Sequence, residues 1–555
     1  MMKHTINVLV FCFLFSPLCF ADDVPPYALF VENNHWIYEA MHILSVESRQ
    51  TTLADRQPMS KGELLRYFGG LKTEKVPEAS GTLYSTVQDY FSAHPFLVNK
   101  KYLRFDVNGI FALQSQYVYH PENEVRIDDF IRYNRTPAAV SVPIQLMFTP
   151  YVNFFGDIIV KKNYWASKLS YPYLNIPLTA AAFDMSFPIR AGLSIGTSFC
   201  NFTVGRGALN IGRSLSGSML LADTADRVDY MSASFFHKNV RLALTVMELE
   251  PTRFVFSHEA AFRPIDWLTI RLYEGAVLNT PFDPRYLNPM MIFHNYFGWD
   301  DTYFDKSKAG SASSSKGKGK SRVGSQLGVS VDLVPVRGLR LYGQYGQNQF
   351  QTAFERNNFS GAKNVPNSLG GLCGIEYIHP FAIGHFSVTG EFFYANPWMY
   401  IMENKFISLY HRRRDPVTVS GKSGDDIMTW LANPYGPDTL GGIVQFSLIE
   451  PKKYRAQFRY RFLAKGENEE KFFDPAYERL GEPHIYYPPS DRYDPITDAK
   501  TPSGYPTYFH TLSLEGSYAV LRNLELGAGM HWTVAHGKKH GHALDCYAAV
   551  KYAVR

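Results

Sequence analysis

Long apolar runs are missing from this 555-residue sequence once its first twenty or so residues are set aside. Beyond residue 21 no stretch reaches the roughly 18 uninterrupted apolar residues that a membrane-spanning helix requires. The mean hydropathy is correspondingly low, at -0.19. A helical membrane protein is therefore excluded. Hydrophobic residues nevertheless make up 45% of the chain and charged residues 19%, so overall disorder is excluded as well.

A strong excess of one charge is also missing. The 56 Lys and Arg residues against 51 Asp and Glu residues give a net charge of +5, and six of the positive residues lie in the Ser/Gly/Lys-rich segment 306–322. Because the rest of the chain is near neutral, it lacks the basic footprint of a nucleic-acid-binding protein. Segment 306–322 has the composition of a solvated loop, with binding of anionic glycan or lipid phosphate as the alternative.

Cysteine is scarce, with five residues in the whole chain. Cys12 and Cys19 fall in the N-terminal apolar segment, which leaves Cys200, Cys373 and Cys546. Three widely spaced cysteines do not make a disulfide framework, and no paired zinc-ligand spacing occurs. We therefore expect no disulfide, no metal and no cofactor.

The first 21 residues have the order of a secretory signal peptide. Lys3 and His4 give a basic start, residues 6–15 are apolar, and Ala21 offers a small residue at a cleavage site before Asp22. The sequence therefore predicts export through a cleaved signal.

Residues 22–97 form a region of helical periodicity. Apolar residues recur at helical spacing in 36–44, 64–71 and 83–91. Ser60 and Glu63 have the spacing of a capping box, in which the Ser60 hydroxyl accepts from the Glu63 amide and Glu63 reaches back. We predict a small α-helical module here, with the apolar stripes used for packing.

From about residue 100 the hydrophobic period changes from 3.6 to 2. Leu103, Phe105 and Val107 share one parity, whereas Arg104 and Asp106 share the other. A strand places alternate side chains on opposite faces, so each such segment has one apolar and one polar face. The same alternation returns in residues 323–333, 386–394, 456–462, 512–520, 524–534 and 544–554.

Two folds fit this alternation: a soluble sheet with its apolar face inward, or a membrane barrel with its apolar face outward. A soluble β-protein of this length would need a repeat, and the sequence shows no fixed period. We predict an all-β fold in which residues 98–555 form a large transmembrane antiparallel β-barrel in the outer membrane, with about 16 to 18 strands. The small N-terminal α-helical module of residues 22–97 precedes it.

Two short motifs have chemical alternatives. The segment GLSIG at 192–196 matches a nucleophile elbow, but that motif needs a strand, a sharp turn and a helix, and β-like sequence follows it. His536, His540 and His542 lie close together before the last strand, either as a metal site or as a solvated turn. We favour an ordinary strand for the first and a turn for the second.

A dense polar block occupies residues 205–229. Arginine and aspartate are costly against lipid, but in a polar lumen they can pair and hold a loop. We expect ion pairs there, with lining of a pore or holding of a plug as their functional role. The candidate residues are Arg206, Arg213, Asp223, Asp226 and Arg227.

At this block the chain resembles the Wzi-type family of capsule-assembly outer-membrane proteins. The motifs that carry the resemblance are MSKGELL at 59–65, GRG at 205–207 with MLLADTADR at 219–227, RYLNP at 285–289 and EFFYANPWMY at 391–400. The resemblance extends over nearly the whole chain after the signal. It implies an 18-stranded outer-membrane barrel with a periplasmic helical module, acting as a lectin that holds capsular polysaccharide on the cell.

The predicted function is attachment or assembly of surface polysaccharide by a non-enzymatic barrel whose partners are polysaccharide and outer-membrane lipid. Aromatic faces pack on sugar C–H surfaces and carboxylates accept sugar hydroxyls, which makes Trp299, Asp300, Asp301 and Trp398 candidate contacts. For the tryptophans, membership of an interfacial aromatic girdle is the alternative.

A different function class stays open beside attachment. A porin or specific uptake channel would use polar-parity residues to line an open lumen. A lipid-acting enzyme would need a Ser/His constellation on one rim, for which the sequence offers no strong candidate. The lumen-lining candidates are Glu376, Glu391, Arg459 and Arg461.

Overall fold

A computed structural model describes most of the chain after residue 23. The described residues are 24–92, 96–100, 103–123, 125, 129–169, 172–293, 323–350, 357–358, 366–402, 405–414, 426–468, 472 and 500–554. The predicted signal segment 1–21 and the segment 306–322 lie outside them. None of the helices in the described part is long and apolar enough to span a membrane.

A closed antiparallel β-barrel dominates the described residues, and eighteen strands form its wall. Neighbouring strands are consecutive in the chain, and the last strand pairs with the first from Leu544 opposite Tyr119 to Val554 opposite Gly109. The strands are β1 Gly109–Tyr119, β2 Val140–Thr149, β3 Val152–Val160, β4 Ala191–Gly196, β5 Cys200–Gly207, β6 Val228–His237, β7 Val240–Glu250, β8 Arg253–Ile265, β9 Leu268–Asn279, β10 Val323–Val336, β11 Leu339–Gln349, β12 Ser368–Phe381, β13 Gly384–Ala395, β14 Thr439–Glu450, β15 Tyr454–Lys465, β16 Thr507–Leu521, β17 Leu524–Gly537 and β18 Gly541–Val554.

The two ends of the barrel differ. At one end, here called the short-turn end, adjacent strands are joined by two or three residues, as between β8 and β9 and between β16 and β17. At the other, the long-loop end, most connections are long; they include residues 161–190, 208–227, 280–322 and 396–438. The asymmetry is the one seen in outer-membrane barrels, whose turns are short on one side and whose loops are long on the other.

The alternation of side chains follows the prediction of an outward apolar face. Phe111, Leu113 and Tyr117 of β1 are exposed, whereas Gln326 and Asp332 of β10 are buried inside. A strand that crosses a bilayer needs this arrangement, with polar groups turned to the lumen. The predicted all-β barrel of about 18 strands, with a small helical N-terminus, is confirmed.

In the described part of the N-terminal region, three α-helices precede the barrel: α1 Trp36–Glu47, α2 Lys61–Phe68 and α3 Gly81–Ser92. The Ser60 hydroxyl accepts from the Glu63 amide at 3.3 Å, as the capping box predicts. The second half of the box is wrong, because the Glu63 carboxylate accepts instead from the Nε of Arg241 on β7 at 2.8 Å. A charged partner in the barrel wall outcompetes a local backbone amide.

Two short helices and a hairpin lie in the long-loop connections of the described part. They are α4 Asp129–Arg135, α5 Tyr164–Leu169 and the hairpin of Tyr410–Arg414 with Asp426–Trp430. The GLSIG segment lies in β4, which turns directly into antiparallel β5, so the strand–turn–helix context of a nucleophile elbow is not present there. Within the described residues no group of three His, Cys, Asp or Glu side chains could hold a metal ion.

Candidate functional site: the plugged lumen and the loop face

The N-terminal segment enters the lumen from the short-turn end. Asp55 accepts from the Nη1 of Arg271 on β9 at 2.7 Å, and Glu63 accepts from Arg241. Glu259 on β8 joins the two arginines, at 2.8 Å from Arg241 and 2.9 Å from Arg271. All five side chains are buried. Removing one partner of such a network leaves a buried charge uncompensated, so the network fixes the position of the segment against β7–β9.

Helix α1 is held to the next part of the wall by two histidines. His42 of α1 lies 2.8 Å from the carboxylate of Glu376 on β12, and His385 on β13 lies 2.8 Å from Glu47 at the end of α1. Burial lowers the pKa of His42 to about 4, with the charge of Glu376 opposing the shift. His42 is therefore neutral near pH 7 and contacts Glu376 through a hydrogen bond.

A loop from the opposite end meets the N-terminal segment inside the barrel. Residues 208–227 descend from the long-loop end, and Asn210 and Ile211 pair with Gln57 and Arg56 as a two-residue antiparallel ladder. Just beyond this ladder, Arg213 donates to Glu39 of α1 at 2.8 Å. The two segments therefore form one plug that reaches from both ends of the lumen.

Two glycines on the inner wall show how tightly the plug and the 396–438 connection pack against β10. A Cβ on Gly328 would lie 2.1 Å from the side chain of Leu220, and one on Gly324 would lie 2.3 Å from the carbonyl oxygen of Ile407. Both distances are shorter than real Cβ contacts, so a larger residue at either position would force Leu220 or the backbone of Ile407 to move. The plug also shares an apolar core with the 396–438 connection. This core includes Leu209, Ile211, Leu220 and Leu221 of the plug and Trp398, Met399, Tyr400, Tyr410 and Trp430 of the connection.

Two candidates for lining an open lumen hold the plug instead. The carboxylate of Glu391 accepts from the backbone amides of Leu215 and Ser216, at 2.8 Å each. Glu376 contacts His42 and also lies 3.3 Å from the Nη1 of Arg340 on β11. The inner faces of β12 and β13 are therefore occupied rather than open to solvent.

A second buried charge network joins the connections at the long-loop end. Arg227 donates to both carboxylate oxygens of Asp184, at 2.8 and 2.5 Å, and Asp226 accepts from Arg413 of the 410–414 hairpin at 2.9 Å. Burial alone would raise the pKa of Asp184, but the hydrogen bonds and charge of Arg227 hold it at about 2. Three long connections are thus tied together by ionised groups.

Lys161, the residue that follows β3, lies beside this network. Its ammonium group donates to the Tyr133 carbonyl oxygen at 2.8 Å and lies 4.3 Å from the centre of the Tyr133 ring. Burial lowers the pKa of Lys161 to about 7. The lysine joins α4 to the end of β3, so the base of the loop face is ordered by polar as well as apolar contacts.

The predicted ion-pair residues of the 205–229 block have separate locations. Arg213, Asp226 and Arg227 lie in the plug and loop networks described above. Arg206 lies on the outward face of β5, where it pairs with Asp229 of β6 at the long-loop rim. Asp223 is exposed. Arg206 is therefore part of the outer rim and does not face the lumen.

The predicted sugar contacts fall in two places. Trp299, Asp300 and Asp301 lie outside the described residues, in the connection between β9 and β10. Trp398 is only 3% exposed and packs in the apolar core that the plug shares with the 396–438 connection. The structure therefore does not bring Trp398 to the surface.

The sequence reasoning did not find the arginines that anchor the plug. Arg241, Arg271 and Arg340 all have the inward parity of their strands and are buried. Arginine at polar-parity positions of alternate strands, β7, β9 and β11, was a usable signal for a filled lumen. Glu63, the partner of Arg241, lies 178 residues away in the chain, and Asp55, the partner of Arg271, lies 216 residues away. Arg340 donates to the carbonyl oxygen of Arg213, 127 residues away. Sequence order does not reveal such pairings.

Comparison with known proteins supports the fold. No protein-family model and no curated protein matches the sequence. Among solved structures the chain is similar to Wzi of Escherichia coli, described as a carbohydrate-binding outer-membrane β-barrel involved in group 1 capsule assembly. That match has a TM-score of 0.53 at 12% identity and covers 94% of this chain and 99% of Wzi.

OprD of Pseudomonas aeruginosa is a more distant match. It has a TM-score of 0.38 at 9% identity and covers 81% of this chain and 94% of OprD. Identities this low establish the fold and not the family. The chain has the fold of an outer-membrane β-barrel, and its lumen carries a plug built from its own N-terminal segment and one long loop.

Proposed function

We propose that this protein is a non-enzymatic outer-membrane lectin that attaches surface polysaccharide to the cell. The observation that carries the proposal is the plug, because two segments that enter the lumen from opposite ends and pair inside it favour attachment at a surface over passage through a pore. The similarity to the carbohydrate-binding barrel Wzi supports the same function. Long loops of outer-membrane barrels face the outside, so the polysaccharide is held at the long-loop end.

The loop face suits multivalent binding. The networks of Arg227 with Asp184 and of Asp226 with Arg413 fix the bases of three connections. A fixed base reduces the ordering cost that each loop contributes on binding. Trp299, Asp300 and Asp301 are the proposed sugar contacts. Trp398 belongs to the apolar core that the plug shares with the 396–438 connection, where it supports that connection.

An uptake channel is the alternative function. The specific observation in its favour is that Arg459 and its neighbours on β15–β17 face the lumen and are only half buried. A channel would also need a continuous path to the long-loop end. On the inner wall between Arg459 and the long loops, however, Leu463, Phe509 and Ala535 are buried. This buried apolar row favours attachment over transport.

Retention of polysaccharide on the purified protein tests the proposal. The folded barrel in detergent is immobilised and exposed to polysaccharide extracted from its own source cells. We expect saturable retention that falls in the W299A/D300A double variant. The matched control is W267A, a change in the turn after β8 at the short-turn end, which should leave retention unchanged. A verified folded barrel that retains no polysaccharide would overturn the proposal.

A further inference from the structure

The plug fills only part of the lumen. Along β14–β18 the inward side chains form rows that run from strand to strand, and one row joins Gln445, Arg459, Ser513, His531 and Asp545 through paired positions. The row on its short-turn side joins Gln457, Glu515, Gly529 and Tyr547. We call the space faced by Gly527 and by these two rows, except Asp545, the vestibule. Asp545 is buried and pairs with Arg132 of α4, and Arg455, at the border of the vestibule, pairs with Glu39 of α1.

The surroundings of two inward-facing glycines, Gly527 and Gly328, show which part of the wall is covered by the plug. A Cβ on Gly527 would lie 3.7 Å or more from its nearest neighbours, which all belong to the wall itself. The same test at Gly328 finds the plug at 2.1 Å. Gly527 therefore faces open space, whereas Gly328 faces packed protein.

The solvent exposure of the inward side chains also indicates that the vestibule is open to water. The Arg455 side chain is 47% exposed and that of Glu515 is 24% exposed. An inward side chain of a closed barrel is solvated only through the lumen. Toward the long-loop end the inner wall becomes apolar and buried, at Leu463, Phe509 and Ala535. The vestibule is therefore solvated on its short-turn side and closed toward the loops.

The chemistry of the vestibule matches a sugar. The Tyr547 ring lies over Gly529, where a Cβ would be 2.3 Å from the ring, and it stacks with the His531 ring at 6.1 Å between centroids. An aromatic face of this kind packs on sugar C–H groups. Glu515 accepts from Gln457 and lies 3.2 Å from the Nε2 of His531. A carboxylate and an amide at the edge of a ring provide acceptors and donors for hydroxyl groups.

Arg459 adds a preference for negative charge. Its guanidinium donates to the amide oxygen of Gln445 at 2.8 and 2.5 Å and to no carboxylate among the described residues. A guanidinium in this setting binds a carboxylate of a ligand through paired, charge-assisted hydrogen bonds.

We propose that the vestibule is a second sugar-binding site, reached from the short-turn end, that takes a carboxylate-bearing sugar unit. The sugar ring packs on Tyr547, its hydroxyls contact Glu515 and Gln457, and its carboxylate pairs with Arg459. The proposal deepens the proposed function, on which it rests for the source of the sugar. It gives the barrel a contact with acidic glycan on the side opposite the loop face.

Binding of D-glucuronate to the folded protein in detergent tests the site, with D-glucose and inorganic phosphate as comparison probes. Calorimetry should give saturable glucuronate binding at least about tenfold tighter than glucose binding. Gly527→Trp fills the vestibule and should abolish binding. Ala528→Trp, the next residue on the outward face, is the matched control and should leave affinity unchanged. Arg459→Gln should reduce the affinity for glucuronate to that for glucose.

Each contrary outcome has a separate meaning. Absent glucuronate binding to a verified folded barrel, or full binding to Gly527→Trp, overturns the site. Phosphate binding as tight as glucuronate binding identifies a simple anion site and overturns the sugar assignment. Polysaccharide retention at the loop face is measured on the same preparations. If retention fails while glucuronate still binds, the proposed function fails and the acidic-sugar site stands.

Discussion

At the scale of single residues, the difference between Arg227 and Arg206 shows what burial does to an ion pair. Arg227 and Asp184 are both buried, whereas Arg206 and Asp229 pair at the rim, partly exposed. We expect Arg227→Gln to destabilise the fold by about 3–5 kcal/mol, because it leaves the Asp184 charge buried and unpaired. Arg206→Gln, the matched control, should cost only about 0–1 kcal/mol. Urea unfolding followed by tryptophan fluorescence measures both, and equal shifts of the midpoint would contradict the assignment.

The same aspartate predicts an acid transition. The pKa of Asp184 is lowered from 3.8 to about 2 in the folded state, through Arg227 and against the effect of burial. A lowered pKa gives stability that is fully present above pH 3.8 and is lost as the pH falls through about 2. Asp184→Asn should remove this part of the pH dependence. Unfolding midpoints between pH 5 and pH 2 test the prediction, and parallel curves for wild type and variant would refute it.

At the scale of elements, the sequence predicted the positions of strands and helices, but it did not predict which distant side chains would pair. Alternation in 323–333 and 544–554 predicted strands with the correct outward face, because a bilayer fixes which parity is apolar. The capping box at Ser60 predicted where α2 begins, since that contact is local. Glu63 and Arg241 could not be paired in advance, because their contact depends on the module entering the lumen. Arg206 was placed in the lumen although its parity matches that of the apolar Phe202 and Val204.

The packing of plug against wall predicts different effects for two inner-wall glycines. Gly328→Ala places a methyl group against Leu220 of the plug, so we expect a loss of about 1–3 kcal/mol through overpacking. Gly527→Ala places the same methyl group in the vestibule, where the loss should stay within about 0.5 kcal/mol. Limited proteolysis of the 208–227 loop should be faster only in Gly328→Ala. Equal sensitivity in both variants would show that the plug does not press on β10.

At the scale of the whole molecule, the lumen has two unlike regions. The region along β7–β13 holds the plug, through arginines on the wall and carboxylates on the N-terminal segment. The region along β14–β18 is solvated on its short-turn side, and an apolar layer that includes Leu463, Phe509 and Ala535 lies between it and the loop face. Whether solutes can pass through the barrel therefore depends on this apolar layer, and substitutions in the layer test it directly.

The apolar layer predicts the electrical behaviour of the protein. Reconstituted in a planar bilayer, the wild type should show no stepwise conductance, because buried Leu463 and Phe509 close the inner wall below the loops. The double variant Leu463→Ala/Phe509→Ala truncates two large side chains of that layer and should produce discrete conductance steps. Phe458→Ala on the outward face of β15 is the matched control and should stay silent. Steps of equal size in the wild type would show that solutes pass the layer, and the protein would then have to be assigned to uptake rather than attachment.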